Sequence, residues 1–155
     1  MHGLMSGAVA VRRFVLNVAG ILSWLPPTLA RITVGWLFLQ TGWGKVNHLP
    51  DIVSYFRELG IPVPEFQAPL AAGAELVCGT LLLVGLFTRL ACVPLIVTMI
   101  VAIVTARRED YQGIASLFGF VEYLYIVLFV WLGVAGAGPL SLDQVLVSRL
   151  EPRSR

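Results

Sequence analysis

Two carboxylates stand apart from every other charge in this sequence. Glu75 is the only charged side chain between Glu65 and Arg89, and Glu122 is the only one from Tyr111 to Leu142. An ionisable group inside a bilayer costs roughly 2.5–3.5 kcal/mol on insertion scales, so each needs a partner or a purpose. Counted from the expected helix ends, each lies about nine residues in, or ~12–14 Å deep, which puts both in one layer. Gln40 falls within about a turn of that layer, with Lys45 nearer the outer surface and Arg31 nearer the cytoplasm. Either basic side chain is long enough to snorkel toward the acids. Tyr125 follows Glu122 by one turn on the same helical face and adds a hydroxyl and a ring. Glu75, Glu122, Arg31, Lys45, Gln40 and Tyr125 therefore form the candidate site. A few polar groups converging in an apolar, aromatic-lined pocket suit a quinone headgroup and its protons. The same six residues also suit a ligand-free ionic network that fixes helix register.

Other chemistry has less behind it. The two cysteines, Cys78 and Cys92, are not a C-x-x-C pair, and their depths in the expected helices differ by ~9 Å, so they are read as apolar thiols between helices. His2 and His48 fall on opposite sides of the membrane, so no metal site is expected. The sequence contains no nucleophile–base pair, phosphate loop or dinucleotide fingerprint. A net charge of +2 with scattered basic residues gives no nucleic-acid footprint.

The elements that must position the six residues follow from composition. Of 155 residues, 57% are apolar and 13% charged, against about 25% charged in soluble domains. About 20 apolar residues cross a bilayer. The charge-poor intervals predict four spans, at about 28–47, 67–87, 89–106 and 113–135, in an all-helical bundle. Pro26-Pro27 starts the first, Arg107 to Asp110 ends the third, and the Gly133–Gly138 run stops the fourth near residue 135. Pro94 should kink the third, and Trp36, Trp43 and Trp131 read as belt or packing residues.

Residues 1–27 form an N-terminal segment in which Phe14–Leu25 is too short to span and reads as an interfacial helix. Ser23-Trp24-Leu25-Pro26-Pro27 offers no small-x-small cleavage site for a signal peptide. Between the first two spans, Ile52, Val53, Phe56 and Leu59 have helical apolar spacing, predicting a short amphipathic helix on the outer surface. Ile61-Pro62-Val63-Pro64 then returns the chain stiffly. Residues 137–155 form a tail with a last interfacial helix from Ser141 to Leu150. Arg12, Arg13, Arg31, Arg89, Arg149, Arg153 and Arg155 lie on the side of the termini, and Lys45, Arg57, Arg107 and Arg108 on the other. That bias predicts cytoplasmic termini.

The order Arg31-x3-Gly35-x6-Gly42-x2-Lys45, Leu59-Gly60-Ile61-Pro62-Val63-Pro64 and Glu75-Leu76-x2-Gly79 through Gly85-Leu86-x-Thr88-Arg89 carries a resemblance. With Met99-x2-Ala102, Glu122 and Gly138-Pro139-x-Ser141-x-Asp143, the sequence resembles the DoxX family over roughly residues 28 to 146. The resemblance implies a four-span protein of the bacterial inner membrane with a quinone-linked redox role. Many relatives carry a histidine where the third span meets the outer loop. Thr105-Ala106-Arg107-Arg108 stands there in this chain, so no histidine-dependent step carries over.

The expectation is therefore a small subunit or accessory partner of a quinone-linked membrane oxidoreductase, with quinone as its ligand and no covalent cofactor. Its partners are membrane lipid and another membrane protein or further copies of the chain. The alternative is a non-enzymatic scaffold or assembly factor docking through Asp51–Leu59 or Phe14–Leu25. A solute or proton pathway would need an oligomer to line a pore.

Overall fold

The computed structural model describes residues 2–150, and every regular element among them is a helix. They are α1 (His2–Ile21), α2 (Leu25–Asn47), α3 (Leu49–Glu58), α4 (Pro64–Val84), α5 (Thr88–Thr105), α6 (Ile114–Leu117), α7 (Val121–Ala135) and α8 (Leu142–Leu150). Helices α2, α4, α5 and α7 pack as a bundle, with α2 against α4 and α5 against α7 as its two main pairs. Val34, Phe38, Leu82, Leu95, Phe129 and Leu132 fill its centre. Phe38 meets the rings of Phe129 and Tyr125 edge-on, with centroids 5.1 and 5.4 Å apart.

Helices α4 and α5 are each long and apolar enough to cross a membrane. Helix α2 meets that measure jointly with residues Val11–Ile21 of α1, across a bend of 44°. Helix α7 is apolar but has 15 residues, a rise of ~22 Å against a hydrocarbon core of about 30 Å. Trp36, Trp43 and Trp131 are exposed on the bundle surface, and α5 runs unbroken through Pro94.

The α2–α4 seam is set by glycine. A Cβ on Gly79 would lie 2.5 Å from the backbone nitrogen of Leu39, and one on Gly35 would lie 2.6 Å from that of Leu83. Gly42 meets the backbone of Leu76 in the same way. Small residues let two backbones close to contact, which is how helices gain packing energy where lipid supplies no hydrophobic drive.

The segment expected as one helix from residue 113 is broken. Ser116 Oγ accepts the amide of Gln112 and donates to the carbonyl of Gly113, closing a local turn. After the single turn of α6, Phe120 is extended and α7 begins at Val121. Glu122 therefore stands in the first turn of its helix rather than nine residues inside it.

At the opposite end, residues 138–143 dock on the turn between α4 and α5. Gly85 ends α4 in the left-handed region with φ 71°, and its carbonyl accepts the amide of Asp143. The Asp143 carboxylate caps α5, accepting the amides of Phe87 at 2.8 Å and Thr88 at 3.1 Å. Arg31, buried at 3% exposure, donates to the carbonyls of Leu140 at 2.6 Å and Leu82 at 3.4 Å. The scattered pieces Arg31, Gly85, Thr88, Ser141 and Asp143 thus form one structural clasp. Arg153 and Arg155, counted above among the terminal cations, lie outside the described residues.

Candidate functional site

A cavity of about 330 Å³ lies among α2, α4, α5 and α7. Four of the six candidate residues line it: Lys45, Glu75, Glu122 and Tyr125. Lys45 comes from the last turn of α2, and Glu75 from the middle of α4 at the level where Gly42 brings the two helices together. Lys45 Nζ donates to Glu75 Oε1 at 2.5 Å, and the two side chains are 31% and 3% exposed. Glu122 Oε1 accepts from Arg107 Nε at 3.1 Å, with the Glu122 side chain 15% exposed. The second oxygen of each acid, Oε2 of Glu75 and Oε2 of Glu122, is buried without a hydrogen-bond partner.

The rest of the wall is apolar or aromatic. Phe38 from α2, Met99 and Ala102 from α5 and the ring of Tyr125 form its sides. Helix α3 contributes Ile52, Tyr55 and Phe56, and Leu59 follows just past its end, so the amphipathic helix expected on the outer surface roofs the cavity with its apolar face. Its ion pair to α4, Arg57 to Glu65 at 2.6 Å, has both side chains 63% exposed and adds little to holding it there.

Arg31 and Gln40 are not part of this site. Arg31 is fourteen residues from Lys45 on one helix, ~21 Å away, and its guanidinium is engaged in the clasp. Gln40 is exposed on the α2 face that also carries Trp36 and Trp43, one turn to either side. Cys78 and Cys92 are free thiols buried in the bundle core.

Arg107 is the site residue that sequence reading missed. It marked the end of a span, and nothing in its spacing pairs it with Glu122 fifteen positions on. Beyond the end of α5 it bridges Glu122 and Asp110, and the Glu122 hydrogen bond and charge push its pKa above the ordinary arginine value. The α3 wall also went unrecognised, because amphipathic spacing gives a buried face without saying what it covers.

The DoxX family model matches residues 27–108. The "Uncharacterized membrane protein Rv3486" of Mycobacterium tuberculosis is 36% identical over 80% of this chain and 84% of its own length. The Bacillus subtilis protein named "Putative oxidoreductase CatD" is 30% identical over 74% of this chain and 82% of its own. "Inner membrane protein YphA" of Escherichia coli is 31% identical over 75% and 86%. No solved structure matches the chain. The match takes in α2 to α5, with Lys45, Glu75 and the glycines of the α2–α4 seam, and the chain is a membrane protein of the DoxX family.

Proposed function

We propose that this protein holds a quinone headgroup in the cavity roofed by α3, as a small subunit or accessory partner of a quinone-linked oxidoreductase of the bacterial inner membrane. The four bundle helices cross the membrane, with both termini in the cytoplasm. The observation that carries the reading is a ring-lined apolar cavity containing an almost fully buried carboxylate, Glu75, that is only half satisfied by Lys45. Such a pocket, mostly apolar with a few convergent polar groups and perturbing charges, is the usual form of a small-molecule site. Its 330 Å³ is at the small end of ligand cavities, enough for one ring and its substituents. Thr41 and Val101 line it and are also exposed, so an isoprenoid tail has a way out to the surrounding lipid. The relative named as an oxidoreductase and the relative named as an inner-membrane protein point the same way.

When bound, a quinone supplies two-electron, two-proton redox chemistry. This chain supplies the pocket, the Lys45–Glu75 pair on one wall and the Arg107-held Glu122 on another. The test is to titrate the purified protein with a short-chain ubiquinone. Ala102→Phe puts a ring into the cavity and should weaken binding at least about tenfold, or ~1.4 kcal/mol. Val97→Phe, on the exposed face of the same helix, should leave it unchanged. Equal binding by wild type and Ala102→Phe would remove the site.

One observation favours the scaffold reading. Residues 11–21 of α1 are exposed throughout, and Val11, Phe14, Val15, Leu16 and Ile21 touch little of the chain. A protein recovered in mild detergent with a stoichiometric partner, and without a redox lipid, would favour docking through α1.

A further inference from the structure

The exposed face of α2 carries a regular pattern that the cavity does not use. Thr33, Gln40 and Asn47 recur every seven residues, and Leu29, Trp36 and Trp43 form a second row, each four residues earlier. All six side chains are exposed. They make one stripe with 4–3 spacing, the seam of a left-handed pair of helices. Trp36 is the middle residue of α2, where an interfacial belt would not place it. Gln40 stands seven residues before the end of the helix, ~10 Å inside it.

The polar row is not used within the chain. Among the described residues, no hydrogen bond engages the Gln40 amide or the Thr33 hydroxyl, whereas the other threonines of α2, Thr28 and Thr41, donate to the carbonyls of Trp24 and Phe38. Asn47 Nδ2 donates to the Trp43 carbonyl and leaves its Oδ1 free. Lipid tails offer neither donor nor acceptor, so a bare amide at this depth carries the penalty of unmade hydrogen bonds. A primary amide both donates and accepts, so two copies of one glutamine facing each other across a two-fold axis satisfy each other. Copies inserted the same way round in one membrane present parallel α2 helices, which sets each residue of the polar row opposite itself. Gly44 flanks the stripe, and a Cβ there would meet nothing in the chain, which leaves a hollow for Trp43 of the partner subunit.

We propose that this face of α2 is a parallel homodimer interface, with Gln40 paired to Gln40 of the partner subunit. The occupant is a second copy of this chain because the polar row complements itself residue by residue. The proposal rests on α2 crossing the membrane and is independent of what the cavity holds, since Phe38, Thr41 and Lys45 line the cavity from the other side of the helix.

The experiment counts photobleaching steps of dye-labelled full chain in phosphatidylethanolamine–phosphatidylglycerol vesicles over a range of protein-to-lipid ratios. Wild type should follow a monomer–dimer equilibrium. Gln40→Leu, which keeps the size of an exposed side chain and removes its amide, should weaken association at least about tenfold. Gln40→Asn should retain most of it, and Val97→Leu on the exposed face of α5 should change nothing. Wild type that stays monomeric at the highest ratio, or Gln40→Leu that associates as tightly as wild type, overturns the proposal. Gln40→Cys, added to a chain whose own cysteines are buried, should form a disulfide-linked dimer when oxidised in the same vesicles, and Val97→Cys should not. Cross-linking at Val97→Cys equal to or above that at Gln40→Cys also overturns it. A different protein cross-linked to Gln40→Cys in native membranes, in place of the dimer, would assign the face to that protein and overturn the homodimer.

Discussion

Lys45→Met should be among the most destabilising single substitutions in the chain. It leaves Glu75, 3% exposed, as an unpaired buried carboxylate whose other oxygen already lacks a partner. Removing one member of a buried ion pair costs about 3–5 kcal/mol. The loss here falls near the lower end, because Lys45 is 31% exposed and part of the pair's field is already screened. Methionine keeps most of the aliphatic stem, so packing changes little and the effect reports charge. The double variant Lys45→Met/Glu75→Gln should recover most of the loss, since neither charge then remains in the wall. Reversible unfolding of the two single variants and the double variant in one detergent gives the coupling. Additive losses would mean that Lys45 and Glu75 do not stabilise one another across the cavity.

Gly79→Ala should be nearly as costly, for a steric reason. The new Cβ meets backbone atoms of Leu39 and Phe38 at 2.5 and 2.8 Å, and backbone cannot rotate aside as a side chain can. Helices α2 and α4 have to separate, a forced overpacking of about 1–3 kcal/mol or more. Gly73→Ala on the same helix meets nothing within 4 Å and should stabilise by about 0.5–1 kcal/mol through helix propensity alone. Opposite signs for two identical substitutions on α4 are the expected outcome of thermal unfolding. Since Gly42 and Gly79 lie on the seam that sets Lys45 beside Glu75, Gly79→Ala should also weaken ligand binding, and Gly73→Ala should not. A Gly79→Ala protein as stable as Gly73→Ala would show that the two helices do not pack at the distance described.

The parts of the fold visible in the sequence are those where charge marks the ends of apolar runs. Glu65, Arg89 and Arg107 bracket α4 and α5 within a few residues, and the 3–4 spacing of Ile52, Phe56 and Leu59 gives α3. Gly136, within the Gly133–Gly138 run, closes α7 just after residue 135. What failed depended on side-chain bonds between residues distant in sequence, or on local turns with no periodic signature. The Ser116 turn splits the segment before α7 and moves Glu122 to the helix start. A basic residue near a span end suggests a partner for the acids, yet the Arg31 guanidinium donates to the carbonyls of Leu82 and Leu140, the second 109 positions away. Gln40 has the right depth for the acids but the wrong helix phase, which puts it on the exposed face with Trp36 and Trp43. Lys45 and Tyr125 line the cavity because both depth and phase favour them.

Photolabelling decides whether a quinone-type headgroup enters the space beneath α3. Purified protein is irradiated with an azido-ubiquinone, with and without excess unlabelled short-chain ubiquinol, and the adducts are mapped by peptide mass spectrometry. Occupancy of the cavity gives competed adducts on its stretches of α2, α3, α5 and α7, around Lys45, Tyr55, Ala102 and Tyr125. Adducts confined to positions outside the cavity such as Trp36, Val97 or the exposed run of α1, and insensitive to the competitor, would contradict it.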